Sequence, residues 1–172
     1  MPKTAEYLCY TDGSCKAGDG APGGWGWFTK APDGSTQERY GSAKGTHSKV
    51  MEHHAVAEAL AALPDDVGVT VFSDNNALVD SLAKHLEHWR ASGFAKVDPL
   101  IAEVVRRISD SVVTKRLTVR WQWVRSHNGN AGNERADALA AQGARQAKAE
   151  LAAEEALCLR TGSLGRVRGR RS

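Results

Sequence analysis

The chain predicts an α/β domain with a mixed five-stranded sheet, three antiparallel meander strands plus two parallel strands, flanked by helices. Three observations lead there. Short alternating runs separated by glycine-rich turns fill the segment before Thr46, as in an antiparallel meander. After it, stripes of helical period alternate with single short strands, the pattern of parallel strands joined by crossovers. The 172 residues, 41% hydrophobic and 25% charged, suit one core rather than two.

Each element has its own signal. Residues 5–12 read as a strand, because Leu8, Tyr10 and Asp12 alternate with Tyr7, Cys9 and Thr11. A glycine-rich turn spans 18–26, and Gly24-Trp25-Gly26-Trp27-Phe28 reads as the second strand. The turn Pro32-Asp33-Gly34 leads into a polar third strand near 36–44. A helix follows over 48–63, with Val56, Ala59, Leu60 and Leu63 as its apolar stripe and Glu52 on that stripe one turn earlier. Pro64-Asp65-Asp66 ends it, and Val69-Thr70-Val71-Phe72 reads as a buried strand running into Ser73-Asp74.

Asn75 or Asn76 can cap the next helix, whose stripe is Leu78, Leu82, Leu86 and Trp89. Another helix is expected over 98–113, on Leu100, Ile101, Val104, Val105 and Ile108. The clearest strand follows over 117–123, where Leu117, Val119, Trp121 and Trp123 alternate with polar residues. A loop over 125–132 leads to a last helix over about 133–157.

Four acids stand where acids are expensive. Asp12 and Asp74 end apolar strands, while Glu52 and Asp137 sit early in helices that must pack on the sheet. An isolated aspartate after a strand is more often a cap than a ligand. Four in these places point to an oxygen-only cluster, which selects hard divalent cations such as Mg²⁺ or Mn²⁺ over zinc. The matching chemistry is metal-assisted phosphodiester hydrolysis.

Several motifs share one order and spacing. They are Tyr10-Thr11-Asp12-Gly13-Ser14-Cys15, Gly23-Gly24-Trp25-Gly26, Met51-Glu52, Phe72-Ser73-Asp74, Trp121-Gln122-Trp123-Val124-Arg125-Ser126-His127 and Asn133-Glu134-Arg135-Ala136-Asp137. With them the chain resembles a type 1 ribonuclease H over about residues 5–145, a family with the RNase H-like fold. The resemblance implies an endonuclease that cuts the RNA strand of RNA–DNA hybrids with two Mg²⁺ ions, Mn²⁺ able to substitute, and leaves 5′-phosphates. Asp12, Glu52, Asp74 and Asp137 would be the catalytic, metal-binding acids, and His127 a loop histidine that assists turnover. Substrate contacts are expected at Gly13, Ser14, Cys15, Ser48, Asn76 and Trp89.

The chain departs from its family in two places. Thr46-His47-Ser48-Lys49 replaces the Thr-Thr-Asn-Asn of many relatives, whose asparagines help read the RNA 2′-hydroxyl. The basic handle that some bacterial relatives insert after the third helix is absent. Only Lys84, Arg90 and Lys96 remain as positive charge there, with Glu87 against them, and Trp89 and Phe94 are either beside the DNA strand or in the core. The alternatives are a catalytically inactive hybrid-binding module, or another nuclease of the superfamily such as a junction resolvase or proofreading exonuclease.

Charge is uneven along the chain. Arg160, Arg166, Arg168, Arg170 and Arg171 lie in the last thirteen residues with no acid among them. Taking these five from the 23 basic residues leaves 18 against 20 acidic ones. Residues 1–158 are thus expected as the ribonuclease H domain, and 159–172 as a basic, disordered arm able to touch polyanions. No run approaches the ~20 apolar residues of a membrane span. Three cysteines without metal or disulfide spacing fit reduced thiols. A cytoplasmic monomer, with a hybrid as its partner and no obligatory protein partner, is expected.

Overall fold

Alternation and turns build the first three strands. In the computed structural model, which describes residues 6–167, β1 (Glu6–Ser14), β2 (Ala21–Lys30) and β3 (Thr36–Thr46) pair antiparallel in chain order. The turn between β2 and β3 is closed by Asp33, whose Oδ1 accepts from the Ser35 N–H at 2.9 Å and from its hydroxyl at 2.6 Å. β1 also pairs parallel with β4 (Gly68–Ser73), and β4 parallel with β5 (Thr118–Trp123). The sheet order is β3-β2-β1-β4-β5, the mixed five-stranded arrangement expected.

Helices make the crossovers. α1 (Ser48–Ala61) joins β3 to β4, while α2 (Asn76–Ala91) and α3 (Ala102–Thr114) join β4 to β5. Their apolar stripes meet the sheet in one core, with Val56, Leu60, Val69, Val71, Leu82, Val105 and Ile108 fully buried. α4 (Ala131–Val167) follows β5 and crosses β1, β2 and β3. It covers the opposite face of the sheet. On β2, a side chain added at Gly23 would point at Met51 of α1, whereas one at Gly24 would strike Ala140 and Ala144 of α4.

The α4 interface is made of backbone. A Cβ at Gly24 would lie 2.3 Å from the Ala140 carbonyl oxygen, and one at Gly143 would lie 2.0 Å from the Gly41 carbonyl oxygen. Ala136, Ala140 and Ala147 share the buried stripe of α4, so the helix can settle directly on the sheet. Arg135 then ties it to β3 through a two-pronged contact with Glu38, at 2.6 and 2.5 Å.

Several boundaries differ from expectation, for local reasons. β1 runs on through Gly13 and Ser14, which pair with Trp25 and Gly24, so Asp12 lies inside a strand rather than at its end. β2 and β3 are likewise longer than expected. α3 begins at Ala102 rather than 98. Asp98 first makes a turn, its Oδ1 accepting the Leu100 N–H and its carbonyl the Ile101 N–H, both at 3.0 Å. α4 continues to Val167, so residues 159–167, expected as part of a disordered arm, prolong the helix. The segment after Gly143 is rich in Ala, Leu, Glu and Arg and has no proline to stop it. Residues 168–172, with the last three arginines, lie outside the described residues.

The glycine contacts give a stability test. Gly24→Ala must push α4 off the sheet and should cost about 3 kcal/mol. Gly34→Ala has open space around it and meets only the strain of a φ of 88°, about 1–2 kcal/mol. Urea denaturation of both variants checks the order; equal losses would mean that α4 yields freely.

Candidate active site

The sheet itself creates the crevice. Parallel pairing between β1 and β4 stops at Tyr10 and Phe72, while β1 continues beside β2 to Ser14. Asp12 therefore sits just where two neighbouring strands part, and Asp74 immediately follows the last residue of β4. Such divergence at the carboxyl ends of strands is where α/β sheets bind ligands.

Two glycines admit the helical acids. At Gly13 a Cβ would lie 2.3 Å from the Glu52 backbone nitrogen, so only glycine lets α1 bring Glu52 this close. At Gly132 a Cβ would lie 2.5 Å from the Tyr10 ring, and its absence lets the first turn of α4 drop onto β1. Asp137 follows in the second turn of α4.

The result is a tight acidic cluster. Asp12, Glu52 and Asp74 each offer a carboxylate oxygen within 4.8 Å of the others. The Asp137 carboxyl lies against Asp12, and its charge also reaches Glu52 and Asp74. Asp12 and Glu52 are only 5% and 9% exposed, too little for water to screen them well.

Protonation records the repulsion. Burial pushes the Asp12 carboxyl up to about 9, with the charges of Glu52, Asp74 and Asp137 adding to the effect. Burial and then the Asp74 charge raise Glu52 to about 8, against an opposing hydrogen bond from Gly13. Asp74 is raised by burial and by Asp137, while a hydrogen bond from Asn133 and the proximity of His127 oppose the shift. Carboxyls crowded in this way gain from any cation that neutralises them.

The donor set fits a hard divalent ion. All four groups are carboxylates, and Glu52 Oε2 is buried with no hydrogen-bond partner. A buried acceptor without a donor is costly unless something positive meets it. Asn133 is 3% exposed and holds Asp74, while its own Oδ1 also lacks a partner.

Neighbouring contacts fix the acids in place. The Gly13 N–H donates to Asp12 Oδ1 at 2.9 Å. Trp123 Nε1 donates to the Asp74 carbonyl at 3.1 Å, and the Val124 N–H to the Ser73 carbonyl at 3.0 Å, tying β5 to the end of β4. Asn75 caps α2 by accepting the Leu78 N–H at 3.1 Å, leaving Asn76 exposed in the first turn.

The other expected site residues fall into two groups. Gly13 packs against the Glu52 backbone and Ser14 is buried two residues beyond Asp12. Ser48 is exposed at the start of α1, and His127 is exposed on the 124–130 loop with a φ of 54°. Cys15 is buried, and its thiol points at the carbonyls of Gly18, Ala21 and Thr46, so only its backbone can meet a ligand. Trp89 packs partly against the core, and Phe94 is fully part of it, with the Arg106 guanidinium 4.7 Å above its ring.

The unusual 46–49 segment is engaged elsewhere. His47 meets Asp19 at 3.1 Å, and Lys49 pairs with Asp98 at 2.8 Å. Asn133 had no role in the sequence analysis. Its signal was its spacing, four residues before Asp137 and hence on the same helical face.

Comparison with known proteins decides the family. The RNase H family model matches residues 4–145. The chain belongs to the RNase H family. It is 39% identical to the Ribonuclease H of Polaromonas naphthalenivorans over 147 residues, 84% of this chain and 90% of that one. It is 42% identical to the Ribonuclease H of Albidiferax ferrireducens over 137 residues, 78% and 91% of the two chains.

Solved structures carry the same fold. LC9-RNase H1, a type 1 RNase H with the type 2 active-site motif, matches with a TM-score of 0.71 and 24% identity, over 85% of this chain and 75% of that one. LC11-RNase H1 in complex with RNA/DNA hybrid matches with a TM-score of 0.64 and 23% identity, over 82% and 98%. The RNase H-like fold anticipated from the motifs is therefore the fold observed.

The repulsion predicts a pH signature. Raised carboxyl pKa values mean that the folded, metal-free state keeps protons the unfolded chain has released. Stability is then lost as pH rises from about 5 toward the folded values of about 8 and 9. His53 and His54 work oppositely: burial depresses both below the usual 6.5, so their contribution grows as pH rises through that value. Comparing Asp12→Asn with the parent isolates the acids. Without metal, the variant should melt higher, by a margin that widens between about pH 5 and 9. A margin independent of pH, read by thermal melts in a chelator, would contradict the assigned repulsion.

Proposed function

We propose that this chain is an endonuclease that hydrolyses the RNA strand of RNA–DNA hybrids with two Mg²⁺ ions, for which Mn²⁺ can substitute. The observation that carries the proposal is the cluster of Asp12, Glu52 and Asp74, with Asp137 against it, in a chain of the RNase H family. The fold-level neighbour solved with an RNA/DNA hybrid supports the substrate class by analogy.

The residues divide the work. Asp12, Glu52, Asp74 and Asp137 would hold the ions, with Asp12 the acid on which the charge or hydrogen bond of all three others converges. When bound, the ions supply charge neutralisation and Lewis-acid activation for in-line displacement at phosphorus. Attack by water with loss of the 3′-oxygen leaves a 5′-phosphate and a 3′-hydroxyl. Asn133 and the Trp123 indole keep Asp74 in register, and the Gly13 N–H keeps Asp12 in register.

Substrate contacts come from the rim. The backbone of 13–15 and the exposed Ser48 and Asn76 side chains present donors and acceptors suited to a 2′-hydroxyl, with Trp89 further along α2. His127, exposed beside Asp74 on a loop that also contains Gly129 at a φ of 74°, assists proton transfer or product departure. The free thiols of Cys9, Cys15 and Cys158 suit a reducing cytoplasm, where the chain acts as a monomer without a fixed protein partner. An inactive binding module has no observation in its favour, since no acid of the cluster is missing.

Two substitutions test the assignment with a labelled hybrid beside matched double-stranded RNA and DNA. Asp74→Asn should lower cleavage at least about a hundredfold while the fold survives. Near-normal turnover of that variant in saturating Mg²⁺ would sink the site.

His127→Ala should slow turnover by no more than about a hundredfold, because the acids and ions remain. A loss as deep as that of Asp74→Asn would give the histidine a different role.

A further inference from the structure

The face of α4 that carries Asp137 changes sign further along. Lys148 lies eleven residues beyond Asp137, which on an α-helix is three turns plus about 20° and a rise of about 16 Å. The two side chains thus share a face, with Ala141 and Ala144 between them. β1 repeats the pattern: Asp12 and Ser14 point to the same side of the strand, and Lys16 follows in the turn.

These two walls enclose a groove of about 400 Å³. Its floor is Ser14, Pro22, Ala141 and Ala144, and Lys16, Arg145 and Lys148 stand on its rim. No acidic residue lines it. All three cations are exposed, and among the described residues none forms an ion pair. Seven other cations, including Lys44, Lys49, Arg107 and Arg135, are paired with acids. On α4, the positions one turn either side of Arg145 are Ala141 and Ala149, so nothing on the helix neutralises it.

We propose that this groove is a second backbone-binding site, which holds the sugar–phosphate of the strand being cut a few nucleotides from the scissile phosphate. The inference deepens the function proposed above and rests on its substrate class. Continuity argues for that strand. A phosphodiester seated over Asp12 and Asp137 leaves the acids along both walls at once, and both lead to the rim of Lys16, Arg145 and Lys148. Chemistry argues for a polyanion with an apolar edge: the cations meet phosphates, and the Ala and Pro floor accepts the sugars. Outside the groove, exposed cations without an ion pair among the described residues, such as Lys96 and Arg125, stand singly, whereas Lys16, Arg145 and Lys148 line one groove.

The test is the double variant Arg145→Ala/Lys148→Ala. Both positions are exposed and helical, so the fold should persist, which circular dichroism checks. Cleavage of a long hybrid, and hybrid binding in a chelator, are measured over a range of salt. The expected result is a KM raised about tenfold, a binding salt slope shallower by about one to two units, and an unchanged kcat at saturation. Arg145→Lys/Lys148→Arg should restore both KM and slope.

Hybrids trimmed from either side of the cleavage site locate the contact. One of the two trimmed substrates should be indifferent to the double variant, and the other should not. Unchanged KM and slope, a fallen kcat, or equal sensitivity to both trims would overturn the groove. A parent protein that cuts no hybrid would instead overturn the proposed function, and the groove would then be judged on binding alone.

Discussion

Repulsion among four carboxylates in a poorly hydrated crevice is the constraint around which this structure is arranged. Nothing in the cluster holds itself together: burial and like charge both push the acids toward protonation. The surrounding fold must therefore impose the geometry. It does so with contacts that tolerate no bulk, such as Gly13 beneath Glu52 and Gly132 beneath Tyr10, and with donors such as the Asn133 amide. The stability given up here is what a bound cation would restore, a local conflict of the kind expected where function overrides packing.

α4 carries much of that burden. It brings Asp137 to the cluster and Asn133 to Asp74, lies on the sheet through bare backbone at Gly24 and Gly143, and is locked to β3 by Arg135 and Glu38. A helix seated on backbone cannot slide by small side-chain adjustments, so Asp137 is held to the register of the sheet. The same rigidity fixes the spacing between Asp137 and the cations Arg145 and Lys148, about two and three turns further on. Acid and base on one stiff face form a ruler rather than two independent patches.

Much of this was legible in the chain, and the limits are physical. Glu52 was visible because an acid on the apolar stripe of α1 had to be buried, and it is. Asp74 was visible because β4 is short, apolar and bounded. The extent of β1 was not, since Gly13 and Gly24 give no alternation signal although their backbones pair. The start of α3 was obscured by Asp98, whose turn lies in front of a helix with the expected stripe. The end of α4 was obscured because the segment beyond about 151 carries no amphipathic stripe and depends on propensity alone, and it includes exposed Leu157 and Leu159. The groove beside Ser14 needed the three-dimensional pairing of two segments about 130 residues apart, which no local pattern encodes.

The departures from the family pattern share a cause on this view. Lys49, where many relatives have an asparagine, is held by Asp98, and His47 by Asp19, so neither is free to face a ligand. The segment that replaces the basic handle turns Phe94 into the core and places Arg106 over it. On the α1 and α2 side, Lys49, Lys84 and Arg90 are thus each engaged by an aspartate, and Lys96 is left exposed without an ion pair among the described residues. Among the described residues, the exposed cations without an ion pair include Arg125 on the loop that carries His127 and, along the α4 side, Lys16, Arg145 and Lys148. A polyanion needs counter-charge near the point of cleavage if it is to stay while the bond breaks. On the proposed reading, Arg145 and Lys148 of α4 would provide it in this chain.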